Sequence, residues 1–436
     1  MTEPRQYSAM DWKTAGIAFG MALAVYFFTL APTITLEYSG QLVVAANRLG
    51  VARPPGYPVW TLLAKGFIEL FPFASYQGHP NPAWAVNLMS AVFGALACGL
   101  LALLVSRESR HLASASRPMP ASIGVFSGIA VALLFALSPA MWSQAVIAET
   151  HALTAFYFLL LLALSLRWMA TRDERGAYLP AFLFGFSLSI SPMLLLHAPV
   201  LLLAAAFVSR QALARMAIAM TLFLGFIAAE YRIGSPSPTA AAVLGATLAA
   251  VLLLAMFRPS RPAAWLLLLL LAGLIPYVYL PLASARNPPM NMGQAHTWTG
   301  FWHVLNRGQY ESLRPLNPFA APVEFARQLA WYARLAAAQF TAPLAAFAFV
   351  PAAALPWLPR PGRRTLALVL AAFAAFALVV LIGATPLPDL QNTFAARVLF
   401  IPSFALLALL AGLGLALLIR GGARLAAIYG TSTAMR

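Results

Sequence analysis

The sequence predicts an all-α polytopic membrane protein with about a dozen transmembrane helices, and three observations predict it. Hydrophobic residues make up 61% of the chain and charged ones only 9%. Apolar runs near bilayer-crossing length recur from end to end. Arginines gather in every second connection between those runs. A soluble domain carries about 25% charged residues, so a mean hydropathy of +0.80 over 436 residues excludes a water-soluble fold.

Each span follows from the same criterion. A hydrocarbon layer about 30 Å thick needs roughly 20 apolar residues, which places spans at 15–31, 83–105, 121–141, 149–167, 178–191, 193–208, 216–230, 240–257, 263–282, 336–357, 365–384 and 397–419. Polar residues Met1 to Lys13 precede the first run and no small-residue cleavage pattern follows it, so an uncleaved first span with a cytoplasmic N-terminus is expected. The connections on that side then hold Arg107, Arg110 and Arg117; Arg172 and Arg175; Arg210 and Arg215; Arg258 and Arg261; Arg360, Arg363 and Arg364; and Arg420 and Arg424. All are basic, as the positive-inside rule demands of a cell inner (plasma) membrane protein. The short runs beside Ser191-Pro192 and around Gly234-Ser235-Pro236 fit these criteria least well, and the second pair suits a re-entrant segment.

A net charge of +16 raises nucleic acid as a partner, but the arginines lie singly or in pairs between apolar runs and form no single face, so none is expected. Cys98 is alone in an apolar stretch and builds neither a disulfide framework nor a thiolate metal site. The chain reads as one transmembrane domain, 1–436, with long outer connections at 32–82 and 284–335 forming the active-site face. Within the first, Trp60, Leu63, Phe67 and Leu70 share one helical face and Lys65 and Glu69 the other, the pattern of a helix lying in the interface plane and flooring a cavity.

Only twelve residues are acidic, so those expected outside or at span ends carry information: Glu37, Glu149, Glu230 and Asp389. Glu37 lies in Thr33-Ile34-Thr35-Leu36-Glu37-Tyr38-Ser39-Gly40-Gln41, just past the first span, where a carboxylate can accept a proton from an incoming hydroxyl. The plainer account has it cap a helix starting near Ser39 or pair with Arg48. Glu149 follows Trp142-Ser143-Gln144 with His151 and Thr154 close by, and its plainer account is stabilisation of a helix N-terminus.

Outer cations are Arg48, Arg53, Arg286, Arg307, Arg314, Arg327, Arg334 and Arg397. Guanidinium suits bidentate phosphate recognition, and Arg397, at the mouth of the last span, is best placed for a lipid phosphate. Arg327 and Arg334 fit a solvated face of an amphipathic helix over 323–335. Tyr277, Tyr279, Trp298, Trp302 and Tyr310 suit either sugar stacking or an interfacial aromatic belt. The outer histidines His79, His151, His296 and His303 lack the i, i+4 spacing of a helical metal site, and His197 reads as a core histidine. No metal site is assigned; a divalent ion on Glu37 and other oxygen ligands is left open.

Pro54-Pro55-Gly56-Tyr57-Pro58, after the Leu36 to Gly40 segment and before Asn87-Leu88-Met89-Ser90, resembles a large, mostly uncharacterised family of multispan glycosyltransferases with the GT-C membrane fold, whose eukaryotic relatives transfer mannose to protein hydroxyls. Ala145 to Glu149, Pro276 to Leu282, Asn287-Pro288-Pro289-Met290-Asn291, Arg307-Gly308-Gln309-Tyr310 and Arg397 to Ser403 resemble it in the same order. The resemblance implies a polyprenyl-phosphate-linked sugar as donor, a protein or glycan hydroxyl as acceptor, an outward-facing site and an acidic residue in the first outer loop. Taken with the placement of polar residues, Glu37 and Glu149 are expected to be catalytic, and Tyr38, Ser39, Gln41, Arg53, Tyr57, His151, Tyr279, Arg286, Asn291, Arg307, Gln309, Tyr310 and Arg397 substrate-binding. Many relatives have Asp before the Ser-Gly pair, Glu after it and His before the double proline, where this chain has Tyr38, Gln41 and Arg53. A sugar-lipid flippase or transporter and a non-catalytic scaffold are the rivals. The transporter is disfavoured because the polar groups cluster at span ends and not in mid-membrane, whereas the scaffold is separated from the enzyme by lipid-sugar turnover in Glu37→Gln and Glu149→Gln variants.

Overall fold

The computed structural model describes residues 7–35, 37–113, 118–233, 245–247, 249–251, 253–254, 256–257, 261–306, 316–384 and 396–433. The protein is an all-α polytopic membrane protein. Among the described residues, six helices are long and apolar enough to cross a bilayer: Pro82–His111, His151–Thr171, Arg210–Ala228, Arg261–Ser284, Arg360–Gly383 and Val398–Ala426. The total is eight if two bent pairs each count as a span. One short antiparallel hairpin, β1 (Ser75–Tyr76) with β2 (His79–Pro80), is the described sheet.

The difference from a dozen expected spans has physical causes. The apolar stretch 178–208 folds as α8 (Tyr178–Ser187), a 3-10 turn Pro192–His197 and α9 (Ala198–Val208). Proline supplies no N–H to continue a helix, and ten residues of α8 reach only about 15 Å. Downstream, the helix expected to open at 336 begins at Pro322, ends at Phe340 and is followed by a 112° bend. Thr341, with φ 60°, cannot continue a right-handed helix. Eight of the eighteen positions of the expected span 240–257 lie outside the described residues.

Packing divides the chain into two compact units: Met1–Tyr26, Gly94–Ser143 and Arg314–Arg436 form one, and Phe27–Phe93 with Gln144–Leu313 form the other. In the first, the long helix Ile401–Thr433 packs on Ala121–Ala136, where Gly412 faces Val131 and Val105. A buried ionic network ties its helices together: Asp11 accepts two bonds from Arg110, at 2.8 and 2.6 Å, and one from Ser106 at 2.7 Å. Arg107 pairs with Glu108, which also accepts from Thr365 at 2.9 Å.

The second unit carries the candidate site. Its helices are α2 (Ser39–Arg48), α3 (Pro58–Leu70), α7 (His151–Thr171), α8, α9, α10 (Arg210–Ile233), α11 (Arg261–Ala272), α12 (Tyr279–Ser284) and α13 (Trp298–Leu305). Gly185 of α8 lets that helix approach the Leu270 carbonyl of α11 so closely that a Cβ would collide with it. Helix α3 forms where its amphipathic pattern predicts, and its apolar face packs on α2: Trp60 is fully buried with Leu42, Met89, Leu153 and Ile190, whereas Leu70 at its end stays exposed. Lys65 binds the Asn47 carbonyl and pairs with Glu69, so the polar face is tied back as well.

Candidate active site

Asparagines fix the segment that carries Glu37. Asn81 donates to the Pro32 carbonyl at 2.7 Å, Asn87 donates to Ala31 and Thr33 at 2.8 and 3.1 Å, and Ala31 N–H donates to Val146 at 3.0 Å. At Glu37 the backbone turns into the left-handed region, φ 66°, which a residue with a Cβ enters only when its surroundings hold it there. Two groups do so. Tyr38 N–H donates to Glu149 Oε1 at 3.1 Å, and Gln144 Nε2 reaches both Glu37 carboxylate oxygens at 3.2 and 3.3 Å. Ser39 then opens α2, its hydroxyl accepting from Thr35 N–H and donating to the Thr35 carbonyl. Glu37 itself is exposed.

Glu149 is the opposite case, with its side chain only 1% exposed. It sits just before α7, where its main-chain carbonyl takes bonds from the Trp60 indole at 3.1 Å and Ser90 at 3.5 Å. Its carboxylate receives the Tyr38 and Thr150 N–H groups and lies 3.9 Å from Arg53. Burial pushes this carboxyl above the ordinary range; Arg53 and the Tyr38 and Thr150 N–H groups draw it partly back, while the charge of Glu37 adds to the rise.

Arg53 is 14% exposed and lies flat over the Tyr38 ring, its guanidinium carbon 3.5 Å from the ring centre. Its Nε–H is buried and has no hydrogen-bond partner among the described residues. A tight turn follows, closed by Gly56 N–H on the Arg53 carbonyl at 2.9 Å; Gly56 takes φ 92°, which glycine adopts freely, and a side chain there would also meet Leu280. Across that turn, Pro55 enters the wall of an apolar cavity of about 670 Å³, together with Leu195, Phe226, Ile227, Tyr277 and Trp302. The Tyr277 hydroxyl is satisfied by the Leu188 carbonyl at 2.6 Å, whereas the buried Trp302 indole N–H lacks an acceptor among the described residues.

Other expected site residues fall in several places. Tyr38 stacks under Arg53, Tyr57 starts α3 at φ 43°, and His151 opens α7. Ser39 is buried in the turn described above, and Gln41 sits one turn into α2. Tyr279 braces the loop after α2, its hydroxyl on the Gly50 carbonyl at 2.9 Å. Beside it Asn291 bridges Val51 and holds Ser284, which also meets His296 at 3.1 Å. Arg286 is exposed. Arg397 belongs to the first unit, where Nη2 donates to Ser143 at 3.4 Å. Arg307, Gln309, Tyr310, Arg314 and Asp389 lie outside the described residues, as does the Glu230 side chain. Gln144 drew no role from the sequence. Its signal was an amide inside the otherwise apolar run that leads to Glu149.

Residues 39–214 match the family described as the protein O-mannosyl-transferase TMEM260 N-terminal domain. The mouse protein O-mannosyl-transferase TMEM260 is 35% identical over 189 residues, 41% of this chain and 24% of the mouse protein. The Dictyostelium discoideum protein of the same name is 26% identical over 172 residues, 36% of this chain and 19% of that protein. The chain therefore aligns with about a quarter or less of each relative's length. The matched stretch holds Arg53, Gln144 and Glu149 and begins two residues after Glu37. Over that stretch the chain is similar to protein O-mannosyl-transferases.

Proposed function

We propose that this chain is a membrane glycosyltransferase that moves a hexose, mannose by its likeness to the named relatives, from a polyprenyl-phosphate carrier to a hydroxyl on a protein or glycan at the outer face of the plasma membrane. One observation carries the reading. An exposed carboxylate, Glu37, is held in an unfavoured backbone conformation beside a buried, stacked guanidinium with an unmet donor. Strain fixed by its surroundings at a polar surface group is typical of reacting residues.

In the transfer, the acceptor oxygen attacks the anomeric carbon opposite the phosphate, its proton passes to Glu37, and the bond from that carbon to the phosphate oxygen breaks with inversion. Negative charge then grows on the departing phosphate. Arg53 takes the role that the sequence alone gave to Arg397: its donor is unmet, and Pro55, one turn away, borders an apolar chamber suited to an isoprenoid chain. Glu149 acts through the backbone, holding Tyr38 N–H and pairing with Arg53.

Purified protein in nanodiscs, supplied with polyprenyl-phosphate mannose and a hydroxyl-bearing peptide, should transfer sugar. Glu37→Gln should lose about 10²- to 10⁴-fold in rate, the usual contribution of a general base, without a lower unfolding temperature, since the side chain is exposed. Undiminished transfer by a folded Glu37→Gln protein would overturn the assignment.

A further inference from the structure

Gln144 lies in the short helix Pro139–Ala145 and is fully buried. Its bonding is one-sided. Nε2 reaches both oxygens of Glu37, whereas Oε1, equally buried, has no partner among the described residues. The opposite amide orientation would set a carbonyl against a carboxylate, so charge fixes which end faces Glu37. A side chain retained only for packing would be expected to satisfy both ends or to be apolar, because a buried carbonyl without a donor is destabilising. Among the described residues, no other side chain hydrogen-bonds to the Glu37 carboxylate. Arg53 and Glu149 engage Tyr38 and each other.

We propose that Gln144 is a positioning residue that holds the Glu37 carboxylate in the orientation in which it receives the acceptor's proton. Its kinetic consequence rests on the transfer reaction proposed above; its hold on Glu37 does not. The experiment compares full-length wild type, Gln144→Leu, Gln144→Met, Glu37→Gln and the Gln144→Leu/Glu37→Gln double variant in nanodiscs. Loss of a charge-assisted hydrogen bond should lower kcat about 10- to 100-fold with little change in KM for the lipid-linked sugar. The unfolding temperature should hold or rise, since an unmatched buried carbonyl is removed. In the Glu37→Gln background, Gln144→Leu should cost nothing further, because the group it acts through is gone.

A second readout needs no turnover. A carbodiimide modifies a carboxyl that no neighbour holds in place, so labelling at residue 37, read by peptide mass spectrometry, should be faster in both Gln144 variants. Equal labelling in wild type and variants, or additive losses in the double variant, would overturn the proposal. Faster labelling in a wild-type background that transfers no sugar would sink the transferase reading and leave Gln144 as the residue that holds Glu37.

Discussion

Replacing Arg53 with methionine should destabilise the protein more at neutral pH than in acid, and the size of the effect follows from the site. The guanidinium lies 3.9 Å from the Glu149 carboxylate, and both side chains are largely shielded from water. Two unit charges at that separation attract by about 1 kcal/mol in bulk water and about 4 kcal/mol at an effective dielectric of 20. Burial favours the upper half of that span, so about 2.5 to 4 kcal/mol of charge compensation is at stake. The sign follows from linkage. Burial raises the Glu149 carboxyl above its ordinary value of 4.5, so the folded protein holds that proton more tightly than the unfolded chain does. Stability from the bound proton is complete below 4.5 and fades as pH climbs through the raised value. Without Arg53 the ionised form is costlier still, and the fade runs on to higher pH. Losing the stack on Tyr38 is a separate cost that does not depend on pH. Unfolding of wild type and Arg53→Met in detergent, followed at pH 5 and pH 7.5, separates the two: the gap between proteins should widen at pH 7.5. An equal gap at both values would show that Arg53 does not compensate Glu149.

Two further predictions follow from packing. Leu195→Trp should fill part of the apolar chamber and raise KM for a long-chain lipid donor roughly 10-fold or more, while a donor with a single isoprene unit is little affected; equal effects on both donors would remove the chamber from the lipid path. Gly185→Ala should lower stability by about 1 to 3 kcal/mol through its clash with the Leu270 carbonyl. Gly225→Ala, in helix α10 with nothing within 4 Å of the new methyl, should leave stability unchanged or raise it by about 0.5 to 1 kcal/mol. Similar melting temperatures for the two variants would contradict the described approach of α8 to α11.

What was legible in the sequence is what local rules govern. Spans such as Pro82–His111 and His151–Thr171 stand out because their apolar content alone requires a bilayer-length helix. The face bearing Trp60 showed in its spacing, and so did the scarcity that singled out Glu37 and Glu149. The breaks were harder to read. Hydropathy averages over Pro192 and Thr341, yet the first lacks a donor and the second takes a positive φ, and each ends a helix that composition would continue. Tertiary polar contacts were hidden altogether. Gln144 meets Glu37 across 107 positions of sequence, and no local pattern announces such a pair. Tyr279 and Asn291, expected at the substrate, meet Gly50 and Val51, contacts that follow from the path of the loop and not from residue type.

In the transfer proposed above, burial separates the roles of the two carboxylates. A proton acceptor must come within hydrogen-bond reach of the hydroxyl it serves, and Glu149 is enclosed, its oxygens facing two main-chain N–H groups and a guanidinium. Glu37 is exposed, and among the described residues its oxygens accept from the Gln144 amide. Nor are the two independent, because the Tyr38 N–H that Glu149 captures belongs to the residue next to Glu37, at the point where the chain adopts its unfavoured φ. The buried acid therefore sets the backbone from which the exposed one projects. Pairs of carboxyl groups in contrasting surroundings commonly divide their work in this way, and here the contrast arises because Trp60 and Ser90 anchor the Glu149 main chain inside the unit, while Asn81 and Asn87 lead Glu37 out to its surface.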